Sequence, residues 1–290
     1  NFNDDEELFK YQEYQFIKNK NPEETEDLEL KIKKYPIEEY GVLKEYFSNI
    51  FLIENLIETR VQTGFTRYLP YDPSKETHKQ NLSVGHMNWL PGTIVKGEGI
   101  FFDFNEKKFL DWSEQFQSEH LTKINDRYNK VRKERGLAER KLNLKFFLIH
   151  TFSHLLINQL SYSCGYGSSS LRERVYCNFE HEDKNMNGVL LYTASGDSEG
   201  SLGGLVREGE PNNINRIIEQ AITKSRVCSY DPICFENKNQ GLNGTNASAC
   251  HACSFLPETS CEESNQLLDR TCIIGDVREN LKGYFEDLIN

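Results

Sequence analysis

Leu142-Asn-Leu-Lys-Phe-Phe-Leu-Ile-His150-Thr-Phe-Ser-His154-Leu-Leu-Ile-Asn-Gln-Leu160 is the stretch on which the fold turns. Phe146, Phe147, Leu148, Ile149, Phe152, Leu155, Leu156, Ile157 and Leu160 surround a helical axis almost completely, and a helix apolar on all sides belongs inside a core. It carries His150 and His154 one turn apart on the same face. An H-x-x-x-H pair can ligate zinc, but zincin chemistry requires Glu directly after the first His, and here that position is Thr151. Buried, hydrogen-bonded histidines are the expectation.

Outward from that helix, the text on its N-terminal side is polar and then basic. A helix is predicted over about Ser113–Gly136. Arg127, Lys130, Arg132, Lys133 and Arg135, continued by Arg140 and Lys141, concentrate positive charge in a chain whose formal net charge is -11. Such a charge excludes a protein coated with nucleic acid but allows a local basic surface, and phosphate backbone is its natural partner. These seven residues are the candidate DNA contacts. Further upstream, Thr93–Val95 and Ile100–Phe104 read as two short strands around a Gly97-Glu98-Gly99 turn. A helix is expected from Ile37 to about Val61, and another helix or arm in the acidic, aromatic-dotted first 27 residues.

Beyond the core helix, Gly188–Thr193 reads as a strand. The Gly-Ser run Gly165–Ser170 lacks the Gly-Lys-Ser/Thr ending of a P-loop. The loop Ser195–Leu205 lacks the order of a dinucleotide site, so it is expected to be a structural turn. Near the C-terminus come Cys234, the knuckle Cys250-His251-Ala252-Cys253, and Cys261. A C-x-x-C turn aims two thiolates at one ion and later thiols close the tetrahedron, so these four are the expected ligands of a structural zinc. Cys228 competes with Cys234 for the first position; the Asp231-Pro232 turn favours Cys234. A disulfide framework is the competing reading, suggested by eight cysteines and by sequons at Asn81, Asn243 and Asn246. The chain's size and the lack of a visible signal peptide argue against it, and a cytoplasmic, membrane-free protein is expected. Val277–Ile289 reads as an amphipathic closing helix.

At 290 residues and 37% hydrophobic, the chain can bury a sizeable core. The expected class is α+β: a small mixed sheet with a buried central helix and a C-terminal four-cysteine subdomain. The expected organisation is a helical segment 1–60, a core 61–211 and a zinc subdomain with terminal helix 212–290.

In order, His150-Thr-Phe-Ser-His154, Ser170-Leu-Arg-Glu-Arg-Val-Tyr176, Leu191-Tyr-Thr193, Gly200-Ser-Leu-Gly-Gly204 and the cysteine set resemble the MrfA-type zinc-binding domain, found fused to superfamily 2 helicases and in their stand-alone partners. Upstream, Gly64-Phe-Thr-Arg67, Trp89-Leu-Pro91 and Gly97-Glu-Gly-Ile-Phe101 resemble the stand-alone DrmB family of the bacterial DISARM anti-phage system. The resemblance implies a non-enzymatic subunit that associates with a DrmA-like superfamily 2 helicase and acts with it on DNA. It assigns zinc to Cys234, Cys250, Cys253 and Cys261, and it implies a C-terminal portion of a longer protein. A nuclease or other hydrolase using His150 and His154 with Arg172, Asp197 or Glu199, or a purely structural assembly subunit, are the alternatives.

Overall fold

The structure is a computed structural model that describes residues 2–19, 30–66, 79–82, 89–116, 118–178, 184–193 and 204–289. Helix α1 (Phe2–Asn19) precedes strand β1 (Lys31–Lys34), a 3-10 segment (Ile37–Glu45) and strand β2 (Phe47–Val61). A small hairpin, β3 (Gly64–Thr66) with β4 (Lys79–Asn81), leads to β5 (Gly92–Phe104). Helices α2 (Glu106–Ser113), α3 (Glu119–Glu134) and α4 (Leu144–Cys164) follow, then β6 (Leu171–Cys177) and β7 (Asn187–Thr193). The chain ends with α5 (Gly204–Glu208), α6 (Pro211–Ser225) and the single turns α7 (Ile233–Glu236) and α8 (Thr271–Ile274).

The main sheet has the order β1-β2-β5-β7-β6, and every neighbouring pair is antiparallel. The α+β class with a buried helix is as expected; the sheet expected as mixed is antiparallel along each ladder. Strand alternation divides its side chains between two apolar layers. Ile50, Leu52, Ile100, Phe102, Val189 and Leu191 face α4 and α6, while Phe51, Ile53, Phe101, Leu190 and Tyr176 face Tyr14 and Ile17 of α1. Tyr14 completes the docking of α1 by donating its hydroxyl to the buried carboxylate of Asp103 at 2.7 Å.

Helix α4 forms where the sequence places it. The Asn143 side chain accepts the Phe146 N–H at 2.9 Å to start it, and left-handed Gly165 ends it. Three other expectations change. The helix expected over Ile37–Val61 is a 3-10 segment followed by strand β2, which pairs with β5 and so carries the sheet across the expected boundary at 60. Both faces of β2 are covered along Ile50–Ile53, and a run buried on two sides has the same apolar density as a helix. The two short strands are one, β5, because Gly97 and Gly99 pair with β2 instead of turning. A Cβ at Gly97 would lie 2.1 Å from the Thr193 carbonyl oxygen, so glycine allows the close approach of β7 there. Glu98 between them is a buried acid. Its carboxylate accepts the N–H groups of Leu205 and Val206 at 2.9 and 3.1 Å and the Tyr166 hydroxyl at 2.9 Å.

The closing helix is also absent among the described residues. Val277–Glu279 and Glu286–Leu288 are single 3-10 turns, separated by left-handed Asn280 and by Gly283, which lies against the backbone of Ile273 and Ile274. Tyr284 and Phe285 are nevertheless buried, and Phe285 stacks on Tyr46 and Phe152. Residues 194–203, and with them the expected structural turn, lie outside the described residues, as do Asp197 and Glu199. No described helix is long and apolar enough to cross a membrane.

Candidate metal centre

Four cysteines converge near the end of α6. Cys228 follows the helix, Cys234 sits on α7, and Cys250 and Cys253 form the knuckle; their sulfurs all lie within 4.8 Å of one another. The separations Cys228–Cys250, Cys234–Cys253 and Cys250–Cys253 are 3.6, 3.9 and 3.9 Å. A tetrahedron of thiolates with Zn–S bonds of about 2.3 Å has edges of about 3.8 Å. The same separations far exceed a disulfide bond of about 2.05 Å, and all seven cysteines with described side chains are free. The cluster therefore fits zinc.

Of the expected ligands, Cys234, Cys250 and Cys253 are brought together; Cys261 is not. Cys228 holds the fourth corner, as a partner to Cys234 and not a substitute for it. The reason is local. Asp231 accepts the N–H of Cys228 at 2.7 Å and of Phe235 at 3.0 Å, which folds the segment so that both its thiols face the knuckle. Behind them lies Arg270, fully buried. It bonds Asp231 at 2.9 Å and the carbonyl of Ser225 at 2.9 Å, and its guanidinium comes within 3.6 Å of the Cys234 sulfur. Backbone N–H groups of Ala252 and Cys250 point at the sulfurs of Cys250 and Cys253 at 3.4 and 3.3 Å.

The thiols act unequally on one another's ionisation. Burial and the Cys253 sulfur push the Cys234 thiol up. At Cys250 burial acts upward too, but hydrogen bonds from the Ala252 N–H and neighbouring thiols hold it below its ordinary value. A divalent cation removes that conflict, because it binds thiolates and releases their protons.

Cys261 instead joins a second buried group with His150, His154 and Glu173. Its sulfur lies 3.2 Å from His150 Nε2, and Glu173 Oε1 lies 2.9 and 3.4 Å from the Nε2 atoms of His150 and His154. Burial opposes ionisation of Glu173, but the two imidazoles outweigh it and hold the carboxyl well below its usual range. Burial likewise opposes charging of His154, yet Glu173 raises it to about 9. Glu173 was not singled out by the sequence reading. Its signal was position: Leu171, Glu173 and Val175 share the inward face of β6, so a carboxylate there had to meet a partner on α4. Arg172 points the other way and pairs with Glu58 at 3.9 Å, so the hydrolase constellation of His150, His154 and Arg172 does not assemble.

The basic residues also separate. Arg127 donates to the carbonyls of Gly244 and Lys238 at 2.7 and 3.1 Å, and Arg140 pairs with Glu263 at 2.5 Å. Those two fasten α3 and its following loop to the C-terminal region. Arg132 donates to the Ala138 carbonyl at 2.7 Å and is half-buried, whereas Lys130, Lys133, Arg135 and Lys141 are exposed.

A closed set of four cysteine sulfurs on short turns, beside a sheet and a core helix, is the donor set of a zinc-binding domain, and residues 152–254 match the MrfA Zn-binding domain. That span contains all four clustered cysteines. Over 276 residues, 91% of its length, the chain is 36% identical to the DISARM protein DrmB of Bacillus paralicheniformis, and it is a homologue of that protein. It covers 46% of the relative, so it spans about half the length of the curated protein it matches.

Proposed function

We propose that this chain is a non-enzymatic, zinc-stabilised subunit of a bacterial anti-phage defence assembly, partnering a DrmA-like superfamily 2 helicase and contributing a DNA-facing surface. The identity to the DISARM protein DrmB over nine-tenths of the chain carries this reading. The four-sulfur cluster supports the structural role of the metal, since four thiolates leave no coordination position for water or substrate. The exposed Lys130, Lys133, Arg135 and Lys141 support phosphate contact, because charges not spent on internal partners can release counterions from DNA.

Co-purification of the zinc-loaded chain with the cognate helicase tests the partnership; two separate peaks on gel filtration at micromolar concentrations would sink it. For DNA, charge reversal at Lys133, Arg135 and Lys141 is expected to weaken binding and to flatten its salt dependence by roughly one slope unit per lost phosphate contact. An unchanged slope would remove this surface from the interface and favour a purely structural subunit.

A further inference from the structure

His150, His154, Glu173 and Cys261 form a set of donors separate from the four cysteines. One ligand atom from each lies within 4.8 Å of the others; His150 and His154 are 0% exposed and Glu173 3%. The imidazoles are oriented from behind. His154 Nδ1 lies 2.8 Å from the carbonyl oxygen of Ser254, and His150 Nδ1 lies 3.4 Å from that of Leu267. A carbonyl only accepts, so each Nδ1 carries a proton, and in the neutral ring each Nε2 presents a lone pair to the cluster.

Those lone pairs face the oxygen of Glu173 and the sulfur of Cys261, all electron-rich atoms. Something electropositive must lie among them. Protons on both Nε2 atoms would supply the charge, but His154 Nε2, although 3.4 Å from Glu173 Oε1, does not meet it at the distance and angle of a hydrogen bond. An N–H at that position would meet the carboxylate only in a long, weak contact. A metal ion needs no such angle to a single acceptor. It needs several lone pairs aimed at one point.

We propose that this set is a second zinc site, with His150 Nε2, His154 Nε2, Cys261 Sγ and one oxygen of Glu173 as ligands. One carboxylate and one thiolate neutralise a divalent ion, so the buried group as a whole carries no net charge. Two imidazoles, a thiolate and a carboxylate suit zinc. Tetrahedral zinc at ordinary bond lengths places such donors about 3.3–3.6 Å apart, and the observed separations of 2.9, 3.2 and 3.4 Å need only a few tenths of an ångström of expansion. The outer shell is in place: the other Glu173 oxygen accepts the Ser153 hydroxyl, and Cys261 Sγ accepts the Asn265 N–H at 3.2 Å. The ligands arise from α4, β6 and the loop after Ser260, so the ion pins that loop to the core helix. His150 and Cys261 lie outside the span that matches the MrfA Zn-binding domain.

Zinc content by mass spectrometry and zinc K-edge absorption on the wild-type chain, purified with zinc as the sole added metal, test this without any variant. Two zinc ions per chain are expected, with a mixed first shell of sulfur at about 2.3 Å and imidazole nitrogen at about 2.0 Å. One zinc in an all-sulfur shell would overturn the proposal. Glu173→Gln with His154→Ala is expected to release one equivalent and leave an all-sulfur shell, whereas Cys253→Ala should release the other and enrich the nitrogen signal. Two equivalents retained in the first variant would refute this ligand set. Neither readout depends on the helicase or on DNA.

Discussion

The sheet and the C-terminal region from Cys228 to Ile289 are stabilised in opposite ways. In the sheet, strands as long as 15 residues form long ladders, interrupted in β2 by register shifts at Phe47–Asn49 and Ile53–Leu56, and aromatic and branched side chains fill both faces. In the C-terminal region the helices are single turns of four residues, isolated bridges replace ladders, and the buried side chains include Arg270, Asp269, Asn246 and Ser248. Here the chain is shaped by hydrogen bonds to backbone around the clustered sulfurs, and hydrogen bonds act at fixed angles. Apolar burial has no such direction. The two halves should therefore fail under different perturbations.

The largest separation is expected from the metal. Cys253→Ser or chelation should unfold the cysteine-bearing region, because apparent zinc-binding energies of such sites are on the order of 10 kcal/mol. Hydrogen exchange on the Cys253 variant should show protection lost over 228–254 and kept in β2, β5 and β7; equal loss in both would erase the distinction. Next, Arg270→Met removes the guanidinium from Asp231 and leaves the Ser225 and Ser248 carbonyls without its N–H groups. A cost of about 3–5 kcal/mol is expected, and weaker zinc retention in a competitive chelator titration should accompany it. The counterpart in the sheet is Phe102→Ala, which empties a buried site among Phe47 and Phe152. It should cost a comparable ~3–5 kcal/mol in urea unfolding with zinc stoichiometry unchanged; zinc loss there would mean the halves are one cooperative unit. Smallest, Tyr14→Phe removes the hydrogen bond to Asp103 and is expected to cost about 1 kcal/mol, read as a shift in the urea midpoint and confined by exchange to α1.

The same contrast explains what could be read from the sequence. Helix α4 was legible because its apolar residues leave no polar face, and β7 because it is short and flanked by turn residues. Strand β2 was misread because a strand covered on both sides loses its alternation. The knuckle Cys250–Cys253 was legible because its spacing is a local geometric requirement. The choice among Cys228, Cys234 and Cys261 was not local: it depends on Asp231 folding one segment toward the knuckle and on the Cys261 loop reaching α4. The basic run shows the limit of counting charge, since Arg127 and Arg140 turned out to serve the fold.

Those two arginines have one more consequence. Arg127 grips the backbone of the loop between Cys234 and Cys250, and Arg140 holds Glu263, two residues beyond Cys261. Helix α3 is thus seated on chain segments that carry or adjoin the clustered sulfurs. With the proposed ions bound, whatever rests on the outer face of that helix rests on a platform with a mineral footing, and withdrawing them would tilt the platform before any of its own lysines had been touched.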